Sequence, residues 1–213
     1  MYRVKTPALV QSLNQKVVWR IPAKKKKIFL TFDDGPHPEI TPQVYRLLEK
    51  HNAKATFFCV GNNARQYPEI IADGELHGHR FANHTYKHES GFQTSRYTYY
   101  KSFLTARQYV ESTLFRPPYG RITPAQIKSM AAKTNIILWD VLSGDFDKKL
   151  DAQACADNVI KNAVPGSIVV FHDSIKAAPR MLPALEKVLE HFTVKGYRFE
   201  AIQPKELNSD QGK

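Results

Sequence analysis

Acidic and histidine side chains follow the short apolar segments of this chain at several separate places. These polar positions are Asp33, Asp34, His84, His88, Arg116, Tyr119, Asp140, Asp145, His172 and Asp173. Side chains of these types can coordinate a metal ion, exchange protons with a substrate, or do both. Surface charges placed at random would not follow the apolar segments so regularly.

Two adjacent carboxylates, Asp33 and Asp34, directly follow the apolar residues 28–32. Neighbouring carboxylates repel each other, and a cation between them would relieve that repulsion. Neighbouring side chains on a strand point in opposite directions, but the turn at Gly35 and Pro36 can direct both towards one centre. An Asx turn that caps the next loop is the alternative interpretation.

His84 and His88 are four residues apart, which places both side chains on one face of a helical turn. This spacing suits shared coordination of a metal ion, although two ordinary surface histidines would also fit it. Two imidazoles and one carboxylate form a facial set of ligands that leaves coordination positions open. Such a set favours a divalent zinc ion and also suits iron, cobalt or nickel.

His172 ends another apolar segment and is followed by Asp173. A histidine at such a position can act as a general acid or base, or as a third histidine ligand of the metal. A buried histidine whose hydrogen bonds are satisfied is the alternative. We favour the functional interpretation, because His172 shares a strand end with the other polar residues.

About seven strand-like segments alternate with helical patterns along the chain. The expected strands are residues 28–32, 55–60, 80–83, 114–116, 136–139, 167–171 and 198–202. This alternation predicts an α/β protein with a parallel sheet, either a barrel or an open doubly wound sheet. The carboxyl ends of parallel strands form the functional edge of such folds, and the polar residues follow the expected strands there.

The chain has 213 residues, with 42% hydrophobic and 24% charged residues, as in an ordinary globular protein. We expect one catalytic domain over residues 1–213, with a core at about 27–202 and peripheral segments at 1–26 and 203–213. Cys59 and Cys155 belong to no CxxC motif and predict two buried, reduced thiols. The apolar runs are too short for a membrane span.

The net charge of +11 invites a nucleic-acid or anionic-surface hypothesis, supported by the lysine run 24–27. Against it, the chain has no recognisable nucleic-acid-binding motif, and the lysines precede a strand at the end opposite the polar edge. We therefore expect no nucleic-acid partner. The first residues lack the apolar stretch of a signal peptide, which predicts a cytoplasmic protein, or one of the cell envelope if the chain is trimmed.

Five motifs in order resemble the polysaccharide deacetylase family, also called the NodB-homology group or carbohydrate esterase family 4. The motifs are residues 31–36 (Thr-Phe-Asp-Asp-Gly-Pro), 84–88 (His-Thr-Tyr-Lys-His), 116–120 (Arg-Pro-Pro-Tyr-Gly), Asp145, and 170–172 (Val-Phe-His). The resemblance covers residues 27 to 202, nearly the whole chain. It implies a distorted (β/α) barrel of about seven parallel strands and hydrolytic removal of N-acetyl, sometimes O-acetyl, groups from sugar polymers.

The resemblance also implies roles for individual residues. Asp33 would be the catalytic base supported by Arg116, and His172 the catalytic acid with Asp145 as its acidic partner. The remaining assignments are the metal ligands Asp34, His84 and His88, the backbone N–H of Tyr119 in the oxyanion hole, and Pro118, Tyr119 and Phe146 against the substrate. Phe146 and Val170 stand where the family usually has Trp and Leu, so they put the sugar preference in doubt more than the activity.

Three functions are compatible with these observations. The leading one is a metal-dependent deacetylase that releases acetate from an N-acetylglucosamine-type oligo- or polysaccharide. The second is a metal-dependent amidase or esterase that acts on a small acylated molecule. The third is a non-catalytic basic protein that binds an anionic polymer.

Overall fold

The computed structural model describes residues 2–12, 16–23 and 25–207. Nine strands form one sheet: β1 (Val17–Val18), β2 (Lys27–Asp33), β3 (Ala55–Cys59), β4 (Arg80–Asn83), β5 (Leu114–Phe115), β6 (Asn135–Ile137), β7 (Val141–Leu142), β8 (Ile168–His172) and β9 (Arg198–Phe199). The strand order is β1-β6-β5-β4-β3-β2-β8-β7, and β9 pairs with β2. Every pairing between these strands is parallel.

Eight α-helices accompany the sheet within the described residues: α1 (Ala8–Ser12), α2 (Thr41–Lys50), α3 (Gly61–Gln66), α4 (Pro68–Leu76), α5 (Arg96–Ala106), α6 (Pro124–Met130), α7 (Ala152–Asn162) and α8 (Ala178–Val194). Short 3₁₀ turns lie at Pro118–Gly120 and Pro204–Leu207. Side chains cap the amino ends of several helices. Thr123 and Gln126 form a capping box at α6, and the Asp151 side chain caps α7.

The sheet curls into an open barrel with helices on its outer face. One buried cluster takes a side chain from each of six strands, namely Phe29, Phe58, Ala82, Leu114, Ile137 and Ile168. A larger cluster joins the alternate residues of β2 and β3 to helices α2, α7 and α8. Strand side chains alternate between the two clusters, as the period of two requires. The expected distorted (β/α) barrel is therefore confirmed.

The seven expected strands all occur, and the structure adds the two-residue strands β1 and β7. β1 forms one end of the sheet and lies within residues 1–26, which we expected to be peripheral. Of the lysine run 24–27, Lys24 lies outside the described residues, as do 208–213 of the expected C-terminal segment. Lys27 begins β2, so the run precedes the amino end of that strand, opposite the polar edge.

The first residues of the chain form an N-terminal arm, residues 2–6, which pairs antiparallel with β7. Lys5 bridges Val141, and the N–H of Leu142 donates to the carbonyl of Val4 at 2.8 Å. The Lys5 ammonium lies 2.7 Å from the buried carboxylate of Asp140. Asp140 thus ties the arm to the sheet, although its sequence position had also suggested a place among the site residues.

Cys59 and Cys155 are buried and unpaired, as the sequence predicts. Among the described residues, no helix has the length and apolar character that a bilayer crossing would demand.

Candidate active site

The register of the sheet brings the polar positions to one edge. Asp33 at the end of β2 pairs in register with His172 at the end of β8. On the other side of β2, β3 leads to β4 and β5, whose last residues Asn83 and Phe115 are also in register. His84 and Arg116 directly follow these two residues. The strand ends therefore place Asp33, His84, Arg116 and His172 side by side, as expected.

Asp33 and Arg116 form a buried ion pair. Asp33 is 4% exposed and Arg116 fully buried, and the guanidinium Nη1 donates to Asp33 Oδ1 at 2.6 Å. The guanidinium also donates to Thr31 Oγ1 and to the carbonyls of Ile137 and Leu138. Burial lowers the pKa of Arg116, and the Asp33 carboxylate opposes that shift. The arginine therefore holds one oxygen of Asp33 in a fixed position.

The Arg116 guanidinium also lies flat against an aromatic ring inside the barrel, with its carbon 4.0 Å from the Phe58 ring centre. Thr31 and Asp33 are alternate residues of β2, so both face the barrel interior where Arg116 lies. A charged group is costly to bury without partners, and these contacts together satisfy it.

Asp34, His84 and His88 bring one potential ligand atom each to within 4.8 Å of one another. Asp34 has a positive φ of 83°, which turns the chain at the end of β2 and redirects its carboxylate. This local conformation places the side chains of Asp33 and Asp34 around one centre despite their alternation on the strand. A carboxylate and two imidazoles fit a divalent cation with open coordination positions.

A backbone carbonyl orients the His84 ring so that its other nitrogen could coordinate a metal ion. Its Nδ1 lies 2.8 Å from the carbonyl oxygen of Arg116, which can only accept a hydrogen bond. Nδ1 therefore carries the proton, and Nε2 presents its lone pair towards Asp34, 4.0 Å away. Burial lowers the pKa of His84 to about 4, so the neutral, ligand-competent form predominates at neutral pH.

His88 completes the group from a loop. Its Nε2 lies 3.2 Å from Asp34 Oδ1. Burial opposes ionisation of Asp34, but the hydrogen bond from His88 and the nearby His172 and His84 hold the pKa of Asp34 well below its usual range. The predicted helical turn at residues 84–88 is wrong, because Thr85 and His88 both have positive φ values, 63° and 59°. The backbone reversal, not helical spacing, brings the two imidazoles together.

His172 and Asp145 form a second pair across the edge. Asp145 is fully buried, and its Oδ1 lies 2.7 Å from His172 Nδ1 while its Oδ2 accepts the backbone N–H of His172 at 2.7 Å. Burial disfavours the charged imidazole, but the Asp145 carboxylate outweighs it and raises the pKa of His172 to about 10. His172 therefore stays protonated at neutral pH with its Nε2–H free to donate.

The three expected substrate contacts lie around this centre. The Tyr119 ring packs edge-on against His88 at 4.6 Å, and the Phe146 ring packs edge-on against His172 at 5.3 Å between centres. Tyr119 is 61% exposed, whereas Pro118 is buried beside it. Tyr119 also has a positive φ of 59°. Non-glycine residues rarely adopt this conformation, and such strain is concentrated at functional sites.

One acidic residue of the site received no role from the sequence. Asp173 is buried directly after His172, and its Oδ1 accepts the N–H of Gly35 at 3.0 Å. A Cβ on Gly35 would meet the Asp173 carboxylate at 2.1 Å, so only glycine fits there. Burial, with the nearby Asp34, raises the pKa of Asp173 to about 8. The only signal in the sequence is that Gly35 directly follows Asp34. The sequence alone does not show that Asp173 is the acidic residue that approaches this glycine.

The fold and the site define a class of protein: an open parallel barrel with a candidate three-ligand metal centre between a buried carboxylate and a protonated histidine. Family comparison names that class. The sequence model described as polysaccharide deacetylase matches residues 20–136, and the chain belongs to this family. The resemblance drawn from the five motifs is confirmed.

Individual relatives have related descriptions. A peptidoglycan-N-acetylglucosamine deacetylase of Bacillus cereus is 33% identical over 193 residues, which cover 87% of this chain and 91% of the relative. A chitooligosaccharide deacetylase of Azorhizobium caulinodans is 34% identical over 165 residues, covering 72% and 77%. The crystal structure of the Bc1960 peptidoglycan N-acetylglucosamine deacetylase superposes with a TM-score of 0.84 at 30% identity, covering 92% and 95%.

Proposed function

We propose that this protein is a metal-dependent deacetylase that removes N-acetyl groups from N-acetylglucosamine units of a glycan and releases acetate. The observation that carries the proposal is the grouping of a candidate metal centre, an arginine-bound carboxylate and a protonated histidine at one strand edge. The relatives named for peptidoglycan and chitooligosaccharide deacetylation support this substrate class.

Asp34, His84 and His88 would hold the metal ion, and the donor set favours zinc among divalent ions. A bound cation of this kind would polarise the acetamido carbonyl and lower the pKa of an attacking water. Asp34 is ionised and His84 neutral at neutral pH, so both are in the protonation states that ligands need.

Asp33 would accept the proton of the attacking water as the general base. Its Oδ1 is occupied by Arg116, which leaves the other carboxylate oxygen for the water. Arg116 thereby fixes the direction in which Asp33 accepts the proton.

The oxyanion that forms at the carbonyl needs a hydrogen-bond donor. We assign this role to the backbone N–H of Tyr119, for which residues 2–12, 16–23 and 25–207 provide no acceptor. The positive φ of Tyr119 breaks the local chain direction and leaves this N–H outside the 3₁₀ hydrogen bonds made by Gly120 and Arg121.

His172 would protonate the amide nitrogen as the C–N bond breaks, because an unprotonated amide nitrogen is a poor leaving group. Asp145 keeps the imidazole charged and oriented, as the two short contacts to it indicate. The products are acetate and the free amine of the sugar.

The two buried free thiols suit a protein that works in a reducing compartment, and cell fractionation would test this location.

The test is acetate release from a panel of chitooligosaccharides, peptidoglycan fragments, acetylxylan and small N-acetylated amines, with the purified metal-loaded protein. We expect release from the N-acetylglucosamine glycans. Release from the small amines alone would favour the small-molecule amidase. No release, with binding of polyanions instead, would favour the basic binding protein.

A further inference from the structure

We propose that the N-terminal arm is part of the substrate site, and that Tyr2 and Phe146 together form an aromatic wall that binds a sugar ring neighbouring the reactive one. The inference rests on the proposed function, a deacetylase of glycans, and adds the residue Tyr2 to the substrate site. Tyr2 lies outside the part of the chain that the family model matches, residues 20–136.

The register of the arm determines where Tyr2 lies. The Thr6 N–H donates to the carbonyl of Asp140, and the Leu142 N–H donates to the carbonyl of Val4. In an antiparallel pair each step back along the arm moves one step forward along its partner. Tyr2 therefore lies beside residues 144–147, the loop that carries Asp145 and Phe146.

Side-chain contacts agree with this register. The Tyr2 ring packs edge-on against the Phe146 ring at 4.8 Å between centres. The Tyr2 hydroxyl donates to Asp147 Oδ2 at 3.2 Å, and it would lie 2.9 Å from a Cβ on Gly144. Tyr2 is thus fixed to the loop by a ring contact and by a hydrogen bond.

The aromatic wall leads away from the proposed acid. The ring centres of Phe146 and His172 are 5.3 Å apart, and the Tyr2 ring in turn contacts the Phe146 ring. The residue Phe146 is 41% exposed and the residue Tyr2 36% exposed, so both are open to solvent at the edge of the site. The C–H faces of a pyranose ring are apolar and pack well on aromatic side chains, which line many ligand sites.

His172 faces the sugar nitrogen in the proposed reaction, so a wall next to it meets the sugar chain and not the acetyl group. Tyr2 lies beyond Phe146 as seen from His172, so it would contact the sugar unit next to the reactive one. The motif resemblance implies a Trp at position 146, where this chain has the smaller Phe146. The Tyr2 ring adds the aromatic area that this smaller side chain lacks.

The experiment compares Tyr2→Ala, Tyr2→Phe and Leu9→Ala with the unchanged protein on N-acetylglucosamine and N-acetylated chitopentaose. Leu9 is a matched control, since it lies in the same N-terminal segment and is 74% exposed. We expect Tyr2→Ala to raise KM for chitopentaose about fivefold and to leave kcat nearly unchanged, because the aromatic contact with the neighbouring ring is lost. KM for N-acetylglucosamine should change little, because a monosaccharide has no neighbouring ring. Tyr2→Phe retains the ring and should stay within about twofold of the unchanged protein.

An unchanged chitopentaose KM in Tyr2→Ala would overturn the proposal, and so would equal changes for both substrates or the same change in Leu9→Ala. Thermal unfolding of each variant shows whether the fold is kept. Calorimetric binding of chitopentaose to Asp33→Asn, with and without Tyr2→Ala, separates this inference from the proposed function. Weaker binding in the double variant supports the wall even if the unchanged protein releases no acetate, whereas unaltered or absent binding rejects it.

Discussion

The two adjacent carboxylates at the end of β2 have different surroundings and therefore different chemistry. Asp33 faces the barrel interior and shares a short hydrogen bond with the buried Arg116. Asp34 itself has a left-handed backbone conformation and lies among imidazoles. A base and a metal ligand can thus occupy consecutive positions in the chain.

Replacing Asp33 with Asn should remove turnover while leaving the metal bound. The carboxylate that accepts the proton is lost, and a missing general base costs about 10²–10⁴-fold in kcat. Acetate release and metal content, measured on the same sample, check both halves. Asp73→Asn, at an exposed position of α4, is the control and should behave as the unchanged protein. Retained turnover in Asp33→Asn would remove the assignment of the base.

Replacing Asp34 or His84 with Ala should instead remove the metal. Each substitution takes away one of three ligands, and the affinity should fall by at least about 10–100-fold, the effect seen even for residues that only support a ligand. Metal content after dialysis measures this directly. His77→Ala changes an exposed histidine of the same chain and should retain the metal. Full metal content in the Asp34 and His84 variants would contradict the site.

Neutralising the partner of His172 should move the pH profile. In the proposed reaction His172 acts while protonated, so the activity that depends on it should be present below its pKa and be lost as the pH rises through that value. Asp145 raises the pKa of His172 to about 10 against the effect of burial. In Asp145→Asn burial is less opposed, and the alkaline limb of kcat should move about one unit or more to lower pH. Asp157→Asn is the control and should leave the alkaline limb of kcat in place. If the alkaline limb of Asp145→Asn also stays in place, the pairing of His172 with Asp145 is refuted.

At the scale of the elements, three strands meet at the Arg116 side chain. Its guanidinium bonds Thr31 and Asp33 of β2 and the carbonyls of Ile137 and Leu138 at the end of β6, while Arg116 itself follows β5. These contacts hold Asp33, the proposed base, and also join the strand ends to each other.

Arg116→Met should therefore lower both stability and activity. Removing one partner of a buried pair leaves the other charge uncompensated, which costs about 3–5 kcal/mol. Chemical denaturation measures this loss. The double variant Arg116→Met/Asp33→Asn should recover part of the stability, because no unpaired carboxylate remains buried. A double variant less stable than Arg116→Met would contradict this account.

The sequence predicted the elements well where the pattern was long enough to be read. Apolar runs located β2, β3 and β8, and Thr–Pro pairs lie at the starts of α2 and α6. Within the described part of the chain, four strands have two residues each, too few to show a period. Of these, β5 and β9 were predicted as parts of the longer segments 114–116 and 198–202, whereas β1 and β7 were missed. Helix α3 was missed because its Gly-Asn-Asn start has low helix propensity.

The site residues were predicted because each follows an apolar strand, but their contacts were not. Left-handed backbone at Asp34, Thr85, His88 and Tyr119 shapes the site, and no side chain of these residues signals it. Asp173 beneath Gly35 and Tyr2 beside Phe146 depend on pairings between distant parts of the chain. Contacts of that kind follow from register, which a single sequence does not specify.

At the scale of the whole molecule, we expect the net charge of +11 to affect the rate at which an anionic substrate binds. A strongly positive protein attracts anionic polymers over distances set by the ionic strength. From about 0.01 to 0.15 M salt the screening length falls from about 30 to about 8 Å. We expect kcat/KM for a carboxylate-bearing peptidoglycan fragment to fall over this range, while that for neutral chitopentaose stays constant. Equal salt responses would show that the charge has no part in substrate capture.

The pairing of residues 4–6 with β7 also bears on how the protein behaves in concentrated solution. β7 pairs with β8 on one side, and on the other its backbone bonds the N-terminal arm. An uncovered strand edge is a template for joining another chain and for aggregation. The same few residues that hold Tyr2 beside Phe146 thus close a sheet edge, so a protein lacking them would be prone to self-association.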